Sequence, residues 1–268
     1  MSVSKNGGNA RMRIIYISKK RTAKILLIFC LVLVSVAYSI NFRDKAITVF
    51  LNIKRELPIY CVERDDKKIS ISFDAAWGTE YTDELLEILE KRNIKCTFFL
   101  VGFWIDAHPD KVQLIAQKGH EIGNHSTNHP HMSNLGKDQI IKEIETTQKK
   151  IDELAGDRAV KLLRPPYGDY NNLLISTCRE MGFYPMQWDV DSLDWKELGA
   201  DHMYRQVTTK VKPGSIVLFH NNAKYTATAL PSILDKLLDE GYEFVPISEL
   251  IYKDSYDIDH TGMQKKKD

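Results

Sequence analysis

The chain is expected to fold as an α/β barrel, a parallel sheet of six or seven βα units preceded by one transmembrane helix. Three observations predict it. Short apolar runs recur through the 268 residues, each followed by an amphipathic stretch, and that alternation is the pattern of βα units on a parallel sheet. Several helical stretches stop at glycine, at Gly119, Gly182 and Gly241, where a left-handed cap is expected. The reactive side chains fall at strand C-terminal ends, the face where barrel enzymes place their chemistry, so a barrel is preferred to an open sheet.

At the N-terminus, Arg11, Arg13, Lys19, Lys20, Arg21 and Lys24 precede an uncharged apolar run over 25–40. A bilayer needs ~20 residues, and Ala23, Asn41 and Phe42 extend the run toward the interfaces. The basic flank places the N-terminus in the cytoplasm and everything after Phe42 outside. The expected organisation is a basic cytoplasmic tail at 1–24, a signal anchor at 25–41, a linker at 42–66, a folded domain at 67–252 and a polar, Lys-rich, disordered tail at 253–268. A cleaved signal peptide competes for 25–41, but the basic region is long and the small-residue pattern at Ala37-Tyr38-Ser39 is poor. A buried core helix fits that basic flank worst.

Within the domain, strand patterns cover 59–62, 69–73, 96–101, 121–124, 160–163, 184–190, 215–219 and 244–247. Helical patterns lie between them at 82–92, 109–117, 137–154, 171–181, 200–211 and 227–239. A net charge of +1 and the lack of a basic stripe with interleaved aromatics argue against nucleic acid. Cys30 sits in the anchor, and Cys61, Cys96 and Cys178 are an odd number with no metal or redox spacing. They read as small buried hydrophobes, with one bridge left open.

The chemistry starts at His125-Ser126-Thr127-Asn128-His129. Two imidazoles four residues apart fall on one face of a helical turn and converge on a divalent metal. Upstream, the alternating run from Ile69 ends on Asp74; downstream lie Arg164-Pro165-Pro166-Tyr167-Gly168, Asp191-Ser192-Leu193-Asp194-Trp195 and Leu218-Phe219-His220.

This ordered set resembles the polysaccharide deacetylases, carbohydrate esterase family four, whose domain is also called the NodB homology domain. All five of that family's motifs have counterparts between Ser72 and His220, and the likeness spans about Lys67 to Ile251. The first motif departs: the chain reads Ser72-Phe73-Asp74-Ala75-Ala76-Trp77-Gly78, with Ala75 where the family carries a second, metal-ligating Asp. A similar variant is associated with the sporulation-type and clostridial membrane-anchored branch. The resemblance implies a distorted barrel of about seven strands.

Hydrolysis of an amide needs a nucleophile, a stabilised oxyanion and a proton for the leaving amine. A divalent ion on His125 and His129, zinc first and cobalt or another divalent second, lowers the pKa of water and polarises the carbonyl. Asp74 takes the water's proton and is a candidate third ligand. The resemblance makes Arg164 the partner that orients this base, the Tyr167 N–H an oxyanion donor and His220 the general acid. Asp194, or failing it Asp191, holds the His220 imidazole and raises its pKa. Trp77 and Trp195 read as walls that stack on sugar faces, with Tyr167 and Leu218 also lining the substrate site.

The expected function is metal-dependent N-deacetylation of a cell-wall or chitin-like amino-sugar polymer, peptidoglycan first because the domain faces the wall. A non-catalytic glycan-binding relative on the same fold is the alternative. A metallopeptidase is disfavoured because no HExxH pattern follows the His pair.

Overall fold

A computed structural model of the chain describes residues 30–32 and 55–267. Cys30–Val32 are helical, the rest of the 25–41 segment lies outside the described residues, and no helix among the described residues is long and apolar enough to cross a membrane. Contacts divide the chain between Lys54 and Arg55.

The second unit is built on strand β2, Lys68–Ala75, whose sequence alternates for a physical reason. Ile69, Ile71 and Phe73 face the helices in one apolar cluster, while the buried hydroxyls of Ser70 and Ser72 on the other face donate to Val245 O and Val217 O at 2.5 and 2.8 Å. Strand β2 pairs in parallel with β3, Thr97–Leu100, and with β8, Ile216–His220. Phe73 stacks on Phe98 and Phe219 of those neighbours, centroids 5.0 and 5.6 Å apart. A second cluster, including Ile59, Phe99, Leu162, Met186 and Ile216, fills the opposite face.

From β3 the sheet runs outward through β4, Glu121–Asn124, and β5, Ala159–Leu163, to β6, Tyr184–Pro185; on the other side β8 pairs with β7, Val190–Asp191. Every ladder is parallel, as the βα alternation predicts. The two edge strands are linked only by residues 186–189, so the sheet must curl until its ends nearly meet, since an extended chain spans only ~3.5 Å per residue. The gap is filled by Ile59, whose N–H donates to Pro185 O and whose carbonyl accepts from Gln187 N–H, at 2.9 and 2.7 Å. The result is an incomplete barrel of seven strands in register order, with β9, Glu243–Phe244, added on β2.

The helices are α1, Thr82–Glu90; α2, Gly102–Ala107; α3, Pro109–Gln117; α4, Lys137–Ala155; α5, Asn172–Glu180; α6, Ala200–Thr208; α7, Thr226–Asp239; and α8, Ile247–Leu250. Six match the sequence patterns. Helix α4 buries Ile140, Ile144, Thr147, Gln148, Ile151 and Ala155, the stripe expected of one helical face. Helix α5 begins where Asn171 caps Leu174 N–H, as an Asn N-cap does.

Four expectations need correction. The strand pattern over 184–190 divides into β6 and β7, because barrel closure bends the chain there. The pattern over 244–247 shortens to Glu243–Phe244, since Pro246 offers no N–H to a ladder and instead starts α8. Helix α2 occupies residues between the strand pattern at 96–101 and the helical pattern at 109–117, where the sequence patterns assign no element.

The tail at 253–268 is not disordered through 267: β10, Tyr256–Ile258, and β11, Met263–Lys266, form an antiparallel pair, and β11 lies parallel to β1, Cys61–Val62. The polar composition misleads because Gln264 is fully buried, its amide exchanging bonds with Tyr252 N and O at 2.9 and 2.7 Å. For the same reason residues 55–66 belong to this unit and not to a linker. Cys61, Cys96 and Cys178 are buried free thiols, as expected.

Candidate active site

Asp74 stands at the C-terminal end of β2, on the face opposite Phe73 and only 6 % exposed. Its Oδ1 accepts from Arg164 Nη1 at 2.7 Å. Arg164 directly follows β5 and is fully buried, its guanidinium 4.1 Å over the Phe99 ring and its Nη2 donating to Gln187 O at 3.2 Å. Burial works against the Asp74 charge, but Arg164, His125 and His220 outweigh it and hold the carboxyl below its ordinary pKa. Asp74 is therefore ionised at neutral pH and free to accept a proton.

The two histidines are brought together, though not by a helix. They lie in the loop after β4, where Ser126 and His129 have φ of 68° and 54°, a left-handed conformation that a helix excludes. The rings meet edge to face with centroids 5.0 Å apart. His125 Nδ1 lies 2.7 Å from Arg164 O; a carbonyl only accepts, so this nitrogen carries the proton. Burial lowers the pKa of His125 and takes His129 down to about 4, so both are neutral.

His125 Nε2 thus turns a lone pair toward Asp74 Oδ2, 3.5 Å away. Two acceptors facing each other leave a place that only a proton or a cation satisfies. His129 Nδ1 is also buried without a partner. These atoms fit a cation, although among the described residues no group of three His, Cys, Asp or Glu forms a complete metal cage.

His220 ends β8. Its Nδ1 lies 2.7 Å from Asp194 Oδ1, and Asp194 Oδ2 accepts from the His220 backbone N–H at 2.6 Å and from Thr226 Oγ1 at 2.9 Å. Asp194 therefore holds the imidazole. Asp191, the second choice, instead accepts Leu193 N–H at 2.8 Å in its own turn. Burial pulls the His220 pKa down, but the Asp194 bond and charge outweigh it and raise it.

The sign follows for activity that needs protonated His220: it is present at low pH and is lost as pH rises through this raised pKa. In Asp194→Asn the largest raising contribution is lost and only the charges of Asp74 and Asp191 oppose burial, so the alkaline limb of the kcat/KM profile is expected to move to lower pH, with a rate loss of about 10²-fold or more. An unmoved alkaline limb would exclude His220 as the acid.

Asp74, His125, His129, Asp194 and His220 line one cavity of about 540 Å³, with Trp77, Tyr167, Trp195 and Leu218 in its walls. Trp77 and Trp195 are 55 and 56 % exposed, so they are walls and not core. Trp104 Nε1–H and Asn221 Nδ2–H both donate to Gly78 O, at 2.8 and 2.9 Å, and pin the turn after Trp77. Tyr167 has φ 60°; its ring meets His129 edge-on and stacks on His131, centroids 4.6 and 4.2 Å apart. Sequence reasoning missed Trp188, Glu197 and Asn222 in the lining; Trp188 was hidden inside the single strand expected over 184–190.

A family model described as polysaccharide deacetylase matches residues 62–186. A peptidoglycan-N-acetylglucosamine deacetylase of Bacillus cereus is 33% identical over 195 residues, 71% of this chain and 91% of that protein. The chain belongs to the polysaccharide deacetylase family. Among further relatives, the peptidoglycan-N-acetylglucosamine deacetylase PgdA of Listeria monocytogenes is 33% identical over 218 residues, 81% of this chain and 45% of that one. A solved CE4 family pseudoenzyme from Bacillus anthracis is 33% identical with a TM-score of 0.70, covering 73% of this chain and 69% of its own. A mutant of that pseudoenzyme is described as having restored enzymatic activity.

The family's second Asp is absent from this chain, and the fold defines its replacement. Ala75 is fully buried in the helix-facing apolar cluster with Phe73 and Phe219. It does not line the cavity.

Proposed function

We propose that this protein hydrolyses N-acetyl groups on an amino-sugar polymer, with cell-wall peptidoglycan as the substrate. The observation that carries the reading is the pairing of an ionised carboxylate, Asp74 on Arg164, with a carboxylate-held imidazole, His220 on Asp194, in the walls of one cavity. Binding a glycan requires neither. Asp74 accepts a proton as water adds to the acetyl carbon. His220 then donates a proton to the nitrogen as the C–N bond breaks, releasing acetate and a free sugar amine.

Arg164 keeps Asp74 ionised and oriented, and the turn at Tyr167 presents backbone N–H to the oxyanion. Trp77, Trp195, Tyr167 and Leu218 bind the sugar. His125 and His129 are the residues to hold a divalent ion, zinc first, which supplies positive charge that polarises the carbonyl and acidifies water. Acetate release from N-acetylglucosamine oligomers and from peptidoglycan by zinc-loaded protein tests the reading. No acetate from either substrate would sink it.

The second reading, an inactive glycan-binding relative, is favoured by Ala75 and by the likeness to a CE4 family pseudoenzyme. The same assay decides it: glycan binding without acetate release is its outcome. The apolar run over 25–41 behind a basic flank makes the protein, on this proposal, a single-pass membrane protein with its domain outside, as in the membrane-anchored branch. Protease added to intact protoplasts is expected to degrade the domain; a protected domain overturns both the topology and the wall substrate.

A further inference from the structure

We infer that Glu143 of α4 is a positioning residue that holds the loop between the two histidines, so that His125 and His129 converge on one ion. The inference rests on the metal reading above. Glu143 contributes nothing to the cavity lining, and no sequence motif marks it.

Its carboxylate works on the loop alone. Oε2 accepts the backbone N–H groups of Thr127 and Asn128 at 2.8 and 2.9 Å, and Oε1 accepts Asn128 Nδ2–H at 2.7 Å. The Glu143 carbonyl accepts Thr127 Oγ1–H at 2.8 Å. Bonds from N–H to an ionised acceptor are stronger than neutral ones, and two consecutive amides on one oxygen fix the direction in which the chain enters and leaves. Such a bond costs the loop its freedom.

That restraint matters because the loop is strained. Ser126 and His129 are both left-handed, and non-glycine residues stay there only when their surroundings leave no alternative. The opposite side of the loop is closed by α2: Gly102 N–H donates to Ser126 O at 2.9 Å and Phe103 N–H to Thr127 O at 3.3 Å. A Cβ on Gly102 would come within 3.0 Å of Thr127 Cα and 2.7 Å of Thr147 Oγ1, so the loop is wedged between two helices. On the α4 side Thr147 Oγ1 also meets Thr127 Oγ1 at 2.9 Å, but Glu143 alone takes the backbone N–H groups of Thr127 and Asn128.

The test is a zinc titration of the full chain against a competing chelator, with amide hydrogen exchange read at residues 126–129. Glu143→Ala is expected to weaken zinc binding about tenfold or more, the usual cost of losing an outer partner of a metal ligand. It is also expected to speed exchange at Thr127 and Asn128. Glu143→Gln, which keeps one acceptor oxygen, recovers part of both, and carries the test if the Ala variant does not fold. The control Glu145→Ala, exposed on the same helix, binds zinc as the wild type does.

A Glu143→Ala protein with wild-type zinc affinity overturns the proposal, as does unchanged exchange. Failure of the metal reading looks different: the wild type binds no zinc, or binds it equally well after His125→Ala/His129→Ala. In that case the exchange arm alone judges the proposal. Lost protection at Thr127 and Asn128 sustains Glu143 as the holder of the loop, and retained protection overturns it.

Discussion

Arg164→Met is expected to destabilise the domain by about 3–5 kcal/mol, the cost of leaving a buried charge without its partner, and to abolish acetate release. For a domain of this size the loss corresponds to a fall in Tm of ~10 °C or more. The reason lies in Asp74, which is buried and whose desolvation is offset chiefly by Arg164. Without Arg164 the largest charge that opposes burial is gone, and the Asp74 pKa rises.

The defect is therefore expected to shrink as pH falls and Asp74 takes a proton. It is also expected to shrink in Arg164→Met/Asp74→Asn, because the two residues share one interaction and their effects cannot add. Thermal melts of the wild type, Arg164→Met, Asp74→Asn and the double variant at pH 7 and pH 5 check this. A melting temperature for Arg164→Met within a degree of wild type at pH 7 would show that the pair carries no such load.

His125→Ala/His129→Ala is expected to abolish zinc retention and acetate release together while leaving the apoprotein folded, since both rings are neutral. Metal analysis after dialysis, beside the activity assay, reads it, and full activity in the double variant removes the metal from the mechanism. Ala75→Asp is the companion measurement. Its carboxylate enters the apolar cluster around Phe73 and Phe219, so the metal-free variant is expected to melt lower, by about 2 kcal/mol or more of stability. Zinc that restores the lost stability would mean that the new carboxylate swings to the ion and completes a three-ligand shell.

Much of this was legible along the chain because it depends on near neighbours. Alternation in Ile69-Ser70-Ile71-Ser72-Phe73 needs only a strand with two different faces, and it also places Asp74 on the face opposite Ala75. The βα order follows from short stretches of apolar period, each readable by itself. The residues Asp74, His125, His129, Arg164, Asp194 and His220 were found for the same reason: each ends or follows a strand, and strand ends in a parallel sheet gather at one edge.

Other features depended on distance through space. Asp191 and Asp194 are equivalent in spacing, and only the path of the chain after β7 brings Asp194 onto the backbone N–H and Nδ1 of His220 and onto Thr226 Oγ1. The His125–His129 spacing is as good for a helix as for a loop; the choice fell to Asn124, Gly102 and Glu143, which take the loop's hydrogen bonds from three separate elements.

The C-terminal residues look disordered by composition, yet β1 offers a free edge and Gln264 finds its partners in Tyr252. Local pattern determined which residues end strands and which faces are apolar, because that information has a period of two or four residues. Curvature of the sheet decided which of those ends meet, because hydrogen bonds and ion pairs between residues ninety positions apart, such as Asp74 and Arg164, exist only once the barrel has closed.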